Sequence, residues 1–278
     1  MLTKYVVAYG DPMEGNPTSR MQNAAFENVG LDWRYLDFTI PASGLEAAMS
    51  AARLFGFSGM NFTIPHKVAV LPLLDGLEPS AEISGACNTV VRQDDGRLIG
   101  SNTDGTGFVW SIRDEGIDPA GLDVVLLGAG GAARAVSVEL ALAGARHITI
   151  ANRTASKRDE LVSLLQARTP VAATSLPWEG LLSVPACDVL VDCTPVGMGE
   201  GIAAREVVAV NLAALSASTV VCDLNPERAD TAFLERARER GHKTLGGRPM
   251  LARQGAAAFE AWTGVDAPLE VMIAALGG

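Results

Sequence analysis

The sequence has little cysteine, and no two cysteines have the spacing of a metal or redox site. The four cysteines are Cys87, Cys187, Cys193 and Cys222, and none of them forms a C-x-x-C motif. All four lie in or beside predicted strands, so we expect buried free thiols in a protein of the reducing cytoplasm. The sequence predicts no metal site.

The sequence also lacks an excess of positive charge and lacks long apolar runs. It has 22 Lys and Arg residues against 32 Asp and Glu residues, a formal net charge of −10. This balance argues against a nucleic-acid partner, because phosphate binding needs a basic face, but it permits a small anionic substrate beside a few local cations. No apolar run is long enough to span a membrane, and the first residues do not resemble a signal peptide. We therefore expect no membrane partner.

What is present instead is the pattern of a nucleotide-binding unit in residues 123–154. Its parts are an apolar strand, a glycine turn, an alanine-rich helix and a second strand, at 124–127, 128–131, 132–143 and 147–151. An apolar run of this length is typical of a strand buried on both faces. Strand, glycine turn, helix and strand in this order are typical of a unit that binds a dinucleotide.

The glycine turn explains how such a unit accepts a pyrophosphate. The turn reads G-A-G-G-A-A, with Gly128, Ala129, Gly130, Gly131 and Ala132 as candidate cofactor residues and Ala133 in place of a third glycine. Glycine permits a tight turn and close approach of phosphate, and the following helix offers free N–H groups. Alanine at the last position still permits close packing of helix and strand. The alternative is an ordinary strand-to-helix turn in an α/β sheet.

The end of the second strand favours NADP over NAD. An NAD site usually has an acidic residue about 20 residues past the glycines, where it binds the ribose 2′-hydroxyl. This chain has Asn152, Arg153 and Thr154 there, and no carboxylate before Asp159. Arg153 can face a 2′-phosphate and Thr154 can donate a hydroxyl. Arg153, Lys157 and Arg158 lie at a helix start, where cations are disfavoured, and we interpret them as a group that needs an anion.

The rest of the chain alternates strands and helices, which indicates an α/β protein with two domains. Before the nucleotide unit we predict strands at 5–9, 33–38, 59–64, 88–92 and 97–99, and helices at 20–29, 45–55, 67–74 and 104–115. We predict that Thr18 or Ser19 caps the first helix and that a hairpin turns at 94–96. After the unit we predict strands at 189–193, 219–223 and 242–245, and helices at 230–240, 250–262 and 268–276.

Three polar stretches outside the nucleotide unit could carry chemistry. They read N-F-T-I-P-H-K at 61–67, G-A-C-N-T at 85–89 and S-N-T-D-G-T-G at 101–107. Asn61 and Thr63 are expected on one face of a strand, since side chains alternate, and Asp104 could cap a helix. Each stretch taken alone is also explained by turns, caps and solvated surface residues.

Taken together, these motifs resemble the shikimate/quinate dehydrogenase family. The likeness covers nearly the whole chain and is carried by several motifs in order: N-x-T-x-P-H-K, G-A-x-N-T, N-T-D-x-x-G, G-A-G-G-A-A, N-R-T, the T-P-V-G-M run at 194–198, and the G-R-P-M-L run at 247–251 with Gln254. Such a series is far more specific than any one of its members.

The resemblance implies an NADP-dependent dehydrogenase that reversibly reduces 3-dehydroshikimate to shikimate, in aromatic amino acid biosynthesis. Lys67 and Asp104 are implied as the catalytic pair, and an ammonium beside a carboxylate can supply or accept the proton that accompanies hydride transfer. The implied substrate ligands are Asn61, Thr63, Asn88 and Gln254, whose amide and hydroxyl groups both donate and accept. The implied cofactor residues are the glycine turn with Asn152, Arg153 and Thr154, and near the nicotinamide Thr194, Met198 and Gly247.

The resemblance also implies the arrangement of the two domains. A substrate domain is expected to comprise 1–103 and 248–278, so that both chain ends contribute to it. A Rossmann NADP-binding domain with a parallel sheet is expected at 104–247. For the assembly we expect a monomer or a homodimer.

The sequence departs from the family pattern where the family binds the substrate carboxylate. The family usually has a His-Ser-x-Ser-Pro run there, whose two serines hold the carboxylate, whereas this chain has Asn16 and Thr18, with Gln22 where a histidine is common. Asp192 replaces a usual Asn, and Asn225 replaces a common Tyr. These changes leave open a relative that acts on quinate, an aminated shikimate analogue or another cyclic polyol acid. A non-catalytic NADP(H) sensor is the alternative of a different class.

Overall fold

A computed structural model describes residues 2–199, 201, 203–226, 228 and 230–277. Its strands are β1 (Lys4–Gly10), β2 (Trp33–Thr39), β3 (Gly59–Phe62), β4 (Gly76–Leu77), β5 (Thr89–Arg92), β6 (Leu98–Ser101), β7 (Asp123–Leu127), β8 (His147–Asn152), β9 (Ala172–Pro177), β10 (Val189–Asp192), β11 (Val220–Asp223) and β12 (Thr244–Leu245). Its helices are α1 (Pro17–Asn28), α2 (Leu45–Phe55), α3 (His66–Ala69), α4 (Pro79–Ser84), α5 (Thr103–Asp114), α6 (Gly131–Leu142), α7 (Ala155–Arg168), α8 (Ala232–Arg238), α9 (Gly247–Thr263) and α10 (Leu269–Ala275).

The chain divides into two compact units. The first comprises Met1–Gly107 and Ala252–Gly278, and the second comprises Phe108–Leu251. The first unit contains both chain ends, as expected for the substrate domain. The boundaries at 103/104 and 247/248 stay a prediction, since the compact units divide four residues later at each place.

The first unit is built on a six-stranded mixed sheet in the order β2-β1-β3-β5-β6-β4. Strand β1 is parallel to β2 and β3, and β5 pairs antiparallel with β3 and β6. The predicted hairpin is confirmed as β5 and β6. Val7, Tyr9, Met60 and Phe62 of the parallel strands lie in one buried apolar cluster. Because side chains alternate along a strand, the intervening Ala8 and Asn61 lie on the other face of the sheet.

The second unit is a six-stranded parallel sheet in the order β12-β11-β10-β7-β8-β9. Counted from β7, this is the doubly wound order 3-2-1-4-5-6 of a dinucleotide-binding fold, so the predicted α/β Rossmann class is confirmed. Residues 124–127 are almost completely buried, as expected where helices cover both faces of a parallel sheet.

Strand β9 was not predicted, and the physical reason is its composition. It reads AATSLP, with a mixture of exposed and buried residues at the edge of the sheet. Small and polar residues at an edge give neither an apolar run nor clear alternation. The pairing of residues 147–152 with 172–177 along β8 supplies the missing information.

Both predicted helix caps are wrong by a few residues. Helix α1 begins at Pro17, because proline suits the first helical turn, and Asn16 Oδ1 accepts a hydrogen bond from Thr18 N at 3.1 Å. At α5, Asn102 Oδ1 accepts from Asp104 N at 3.2 Å. Asp104 therefore lies in the first turn of α5 and is not its cap.

All four cysteines are free thiols, and three of them are buried, whereas Cys193 is half-buried. Within the described part of the chain, none of the helices combines the length and apolar character needed to cross a membrane.

Candidate active site

An ammonium and a carboxylate meet in the first unit at the junction of two helix starts. Lys67 Nζ lies 2.7 Å from Asp104 Oδ2, and the two side chains are 31% and 21% exposed. Lys67 lies in the short helix α3 directly after Pro65, and Asp104 lies in the first turn of α5, where the helix dipole favours a carboxylate. The structure therefore brings together two residues that are 37 positions apart in sequence, with access for a small molecule.

Asn88 holds the carboxylate of this pair in place. Its Nδ2 donates to Asp104 Oδ1 at 2.8 Å, and its Oδ1 accepts from Thr103 N at 2.8 Å. Asn88 is almost completely buried. One amide thus binds the start of α5 and the carboxylate together, which leaves Asp104 Oδ2 for the ammonium.

Asn61 is more constrained than its predicted role as a substrate ligand suggests. Its Nδ2 donates to Asn88 O at 2.9 Å and to Thr89 Oγ1 at 3.0 Å. Its Oδ1 accepts from Tyr35 Oη at 2.8 Å. Toward a ligand, Asn61 can therefore only accept one further hydrogen bond, at Oδ1. Burial, with a smaller contribution from the charge of Asp37, raises the pKa of Tyr35 well above its usual range, so Tyr35 acts here as a donor.

Asn16 binds protein groups with both ends of its amide. Its Oδ1 caps α1, and its Nδ2 donates to Asp37 Oδ1 at 2.8 Å. Thr18, two residues later, is half-buried in the first turn of α1. The sequence reasoning missed Asp37. Its only sequence signal was a carboxylate two residues after Tyr35 near the end of a predicted strand.

The two other predicted substrate residues lie on separate elements of the same unit. Thr63 is exposed just past the end of β3, so it does not belong to the strand as predicted. Gln254 is half-buried in α9. The next residue, Gly255, packs closely on α1, because Gln22 Nε2 donates to Gly255 O at 2.8 Å and a Cβ there would lie 2.1 Å from Met21 Cε.

The second unit contains a cleft of about 520 Å³ at the carboxyl ends of its strands. The predicted cofactor residues that line it are Gly128, Ala129, Gly130, Asn152, Arg153 and Thr194. Those that do not line it are Gly131, Ala132, Thr154, Met198 and Gly247. The cleft also contains residues that sequence reasoning missed, namely Trp178 and the segment 206–209. These come from loops without a recognisable motif.

The glycine turn fits a nucleotide. Gly128 has φ +107°, and a Cβ there would lie 3.3 Å from Cys193 O, so a side chain is disfavoured. At Gly130 and Gly131 a Cβ would have nothing within 4 Å, which leaves open space in front of the N-terminus of α6. Ala133 is completely buried, as close packing of helix and strand requires. Free N–H groups facing open space suit a phosphate group.

The end of β8 presents a cation beside the glycine turn. Asn152 Nδ2 donates to Thr154 O at 3.0 Å and shapes the turn into α7. Arg153 is exposed and forms no ion pair with any described residue. We interpreted Arg153, Lys157 and Arg158 as cations that need a bound anion. This is wrong for Arg158, whose Nε lies 2.8 Å from Asp159 Oδ1, so that its charge is paired within the protein.

Two residues predicted near the nicotinamide have structural roles that are visible in the second unit. Thr194 Oγ1 accepts from Val196 N at 3.3 Å and shapes the loop after β10. Gly247 is required by close approach, since a Cβ there would lie 2.5 Å from Leu224 O. Met198 lies 36% exposed in the turn that follows Pro195.

Two buried carboxylates lie side by side at the ends of β10 and β11. Asp192 and Asp223 are register partners, and each is almost completely buried. Burial raises the pKa of Asp192 from 3.8 to about 7, a hydrogen bond from Thr194 N lowers it in part, and the charge of Asp223 adds to the rise. Burial likewise raises the pKa of Asp223. Asp192 is therefore a carboxyl that takes up a proton near neutral pH.

We expect Asp192→Asn to stabilise the protein more at pH 8 than at pH 5. The folded protein binds more protons than the unfolded chain between about pH 4 and the raised pKa of about 7, so its stability falls as the pH rises through this window. The amide removes this loss and can still accept from Thr194 N. Thermal unfolding at both pH values measures the difference. Asp118→Asn, at an exposed carboxylate in the same unit, is the control. Equal effects of Asp192→Asn at both pH values would contradict the assignment.

Within the described residues, no group of three or more His, Cys, Asp or Glu side chains is arranged to hold a metal ion.

The fold and site define a two-unit α/β oxidoreductase class, with a Rossmann nucleotide unit and a separate unit that carries a Lys–Asp pair. Family models match three parts of the chain: the shikimate dehydrogenase substrate binding domain at 8–90, the shikimate / quinate 5-dehydrogenase at 115–226, and the shikimate 5'-dehydrogenase C-terminal domain at 247–276. The chain belongs to the shikimate dehydrogenase family.

Individual relatives agree over nearly the full length. A shikimate dehydrogenase (NADP(+)) of Desulforamulus reducens is 42% identical over 270 residues, which is 95% of this chain and 91% of that protein. A ligand-free 5-ketofructose reductase of Gluconobacter sp. strain CHM43 has a TM-score of 0.95 at 40% identity, over 99% of this chain and 98% of that one. A Listeria monocytogenes shikimate 5-dehydrogenase in complex with shikimate and NAD has a TM-score of 0.90 at 31% identity, over 97% and 95%.

Proposed function

We propose that the chain is an NADP-dependent oxidoreductase of the shikimate dehydrogenase type, which reversibly reduces 3-dehydroshikimate to shikimate. The observation that carries the proposal is the contact of Lys67 Nζ with Asp104 Oδ2 at 2.7 Å. These two residues stand in the motifs that the family shares. A sensor without turnover has no need of such a pair, which argues against the non-catalytic alternative.

The chain's own part in the reaction is to bind the substrate and to move one proton. When bound, NADPH supplies the hydride. Lys67 donates a proton from Nζ to the carbonyl oxygen during reduction and accepts it back in the reverse direction. Asp104 holds the ammonium in position, and Asn88 holds Asp104 through its 2.8 Å hydrogen bond.

The other predicted substrate residues bind the hydroxyl groups of the substrate. Thr63 and Gln254 offer groups that both donate and accept, and Asn61 offers its remaining acceptor capacity. Asn88 contributes by positioning Asp104. Asn16 and Thr18 stand where the family binds the substrate carboxylate.

The cofactor binds in the cleft of the second unit. The glycine turn at 128–132 and the N-terminus of α6 would hold its pyrophosphate, because free N–H groups and space are available there. Asn152 and Arg153, which line the cleft, would bind the adenosine end, and Thr194, which also lines it, would lie toward the nicotinamide. Thr154, Met198 and Gly247 do not line the cleft and stay predicted cofactor residues. The naming of the Desulforamulus reducens relative for NADP(+) supports the same cofactor here.

We expect Arg153→Ala to weaken NADP binding by at least about tenfold, roughly 1.4 kcal/mol, and to leave NAD binding nearly unchanged. The reason is that only NADP has a 2′-phosphate for the guanidinium to face. Dissociation constants for both cofactors, from quenching of protein fluorescence, check this result. Arg113→Ala removes another exposed arginine of the same unit and is the matched control. An equal loss for both cofactors would assign Arg153 a structural role.

A substrate panel tests the proposed activity. NADPH absorbance is followed with 3-dehydroshikimate, and NADP reduction is followed with shikimate and quinate. Because one solved relative is named a 5-ketofructose reductase, the uncharged 5-ketofructose belongs in the same panel. No turnover of 3-dehydroshikimate or shikimate would reject the proposal, and NADPH binding without turnover of any member of the panel would favour the sensor. We propose a monomer or a homodimer, which light scattering on the same preparation distinguishes.

A further inference from the structure

A negative side chain lies beside Asn16, which stands where the family has a serine that binds the substrate carboxylate. Asp37 Oδ1 accepts a hydrogen bond from Asn16 Nδ2 at 2.8 Å, and Asn16 is one of the two residues that replace the family's serines. In the family, serine hydroxyls at this place bind the carboxylate of the substrate. In this chain, the amide of Asn16 already donates to a carboxylate of the protein, that of Asp37.

The charge of Asp37 is not neutralised by any described residue. Asp37 forms no ion pair with the part of the chain that the structure describes, and its side chain is half-buried. Its second oxygen has no hydrogen-bond donor among those residues. A ligand that reaches Asn16 therefore meets a carboxylate with free acceptor capacity.

Asp37 belongs to the same polar row as the candidate catalytic pair. Asp37 and Asn61 are both register partners of Ala8, so the two side chains lie two strands apart, about 10 Å, on one face of the sheet. From Asn61 the row continues through Asn88 to Asp104, with hydrogen bonds of 2.9 and 2.8 Å. A polyhydroxylated molecule at Lys67 and Asp104 can extend along this row toward Asp37.

The groups at the Asn16 end suit hydroxyls better than a carboxylate. A neutral hydroxyl can donate to Asp37 and accept from the second N–H of Asn16 or from the hydroxyl of Thr18. A carboxylate has no proton to donate to Asp37, and the two like charges repel each other with little screening in a partly buried site.

We propose that this chain also reduces uncharged polyhydroxy ketones, with the Asn16–Asp37 pair as the residues that favour a neutral substrate over a carboxylate-bearing one. This inference rests on the proposed function, since it uses the same Lys67–Asp104 pair. In the reduction, the ketone carbon gains a hydride from NADPH and the oxygen gains a proton from Lys67. A secondary alcohol and NADP⁺ are the products.

The test compares 5-ketofructose with 3-dehydroshikimate as substrates of the full-length protein with NADPH. The decisive variant is Asp37→Asn, which removes the charge and keeps an oxygen to accept from Asn16 Nδ2. We expect wild-type protein to reduce both ketones, and the variant to shift the kcat/KM ratio at least about tenfold toward 3-dehydroshikimate. The control is Asp32→Asn, which removes an exposed carboxylate of the same unit and should leave the ratio unchanged. Among the described residues, this carboxylate accepts a hydrogen bond from Thr3 Oγ1 alone.

A second variant tests the amide. Asn16→Ser keeps the helix cap, because serine caps as well as asparagine, and supplies the hydroxyl that the family has. We expect the KM for 3-dehydroshikimate to fall and the KM for 5-ketofructose to rise, each severalfold. Calorimetric titration with shikimate, which needs no turnover, should show about tenfold tighter binding to Asp37→Asn than to wild type.

The outcomes separate this inference from the proposed function. If 3-dehydroshikimate is reduced but 5-ketofructose is not, or if Asp37→Asn leaves both the ratio and shikimate binding unchanged, the neutral-substrate inference is overturned and the proposed function stands. If neither ketone is reduced, both are overturned.

Discussion

Replacing Lys67 or Asp104 by alanine should lower kcat by about 10²–10⁴, the usual contribution of a positioned acid–base group. Without Lys67 the carbonyl oxygen has no ammonium to protonate it. Without Asp104 the ammonium loses the partner at 2.7 Å that holds it in position. Steady-state kinetics in both directions of the reaction measure the loss.

Two further variants make this result specific. Asp104→Asn keeps the size of the side chain but removes the charge, so its loss reports the charge and not the packing. Lys4→Ala removes a lysine of the same unit that stacks over Trp33, and kcat should not change. Cofactor affinity should be nearly unchanged in the Lys67 and Asp104 variants, because neither residue belongs to the glycine turn. Near-normal turnover in both alanine variants would remove the pair from the mechanism.

Replacing Trp262 by alanine should lower the free energy of unfolding by about 3–5 kcal/mol, as for other large buried aromatic residues. Trp262 is 8% exposed, and its Nε1 donates to Val90 O at 3.0 Å. A Cβ at Gly59 would lie 2.3 Å from the indole, so the glycine makes room for it. The C-terminal part of α9 is therefore part of the core of the first unit. Urea unfolding followed by circular dichroism measures the change.

An exposed aromatic residue provides the comparison. Phe55 is 69% exposed, and Phe55→Ala should change the free energy of unfolding by less than about 0.5 kcal/mol. Trp262→Phe should lie between these two results, because it keeps most of the apolar contact and loses one hydrogen bond. A loss below about 1 kcal/mol for Trp262→Ala would mean that this helix does not contribute to the core.

The sequence predicted the nucleotide unit well because its signals are local. The apolar run of β7, the glycine turn and the buried strand β8 each depend on residues within about thirty positions of each other. The same holds for the hairpin of β5 and β6, whose turn residues are adjacent. Strand β9 was missed because an edge strand of small polar residues is specified by its neighbour β8 and not by its own pattern.

The motifs predicted Lys67 and Asp104 as a candidate catalytic pair, but they did not predict the hydrogen bonds around it. The sequence does not show that the Asn88 side chain donates a hydrogen bond to Asp104, or that both amide hydrogens of Asn61 are donated to other protein groups. It also does not show that Asp37 lies beside Asn16. Asn16 was predicted as a substrate ligand from its position in a motif. Its contact with Asp37 depends on how the start of α1 packs against β2, which the sequence of α1 does not contain.

By itself the sequence determined the α/β class, the nucleotide unit and the residue types available for catalysis, because periodicity, glycine turns and motif spacing are properties of short segments. Only the tertiary structure decided which strands are neighbours, what Trp262 contacts in the first unit, and that Asp37 lies beside Asn16. The physical reason is that these features arise from contacts between residues far apart in sequence, such as Trp262 with Val90 and Asn16 with Asp37.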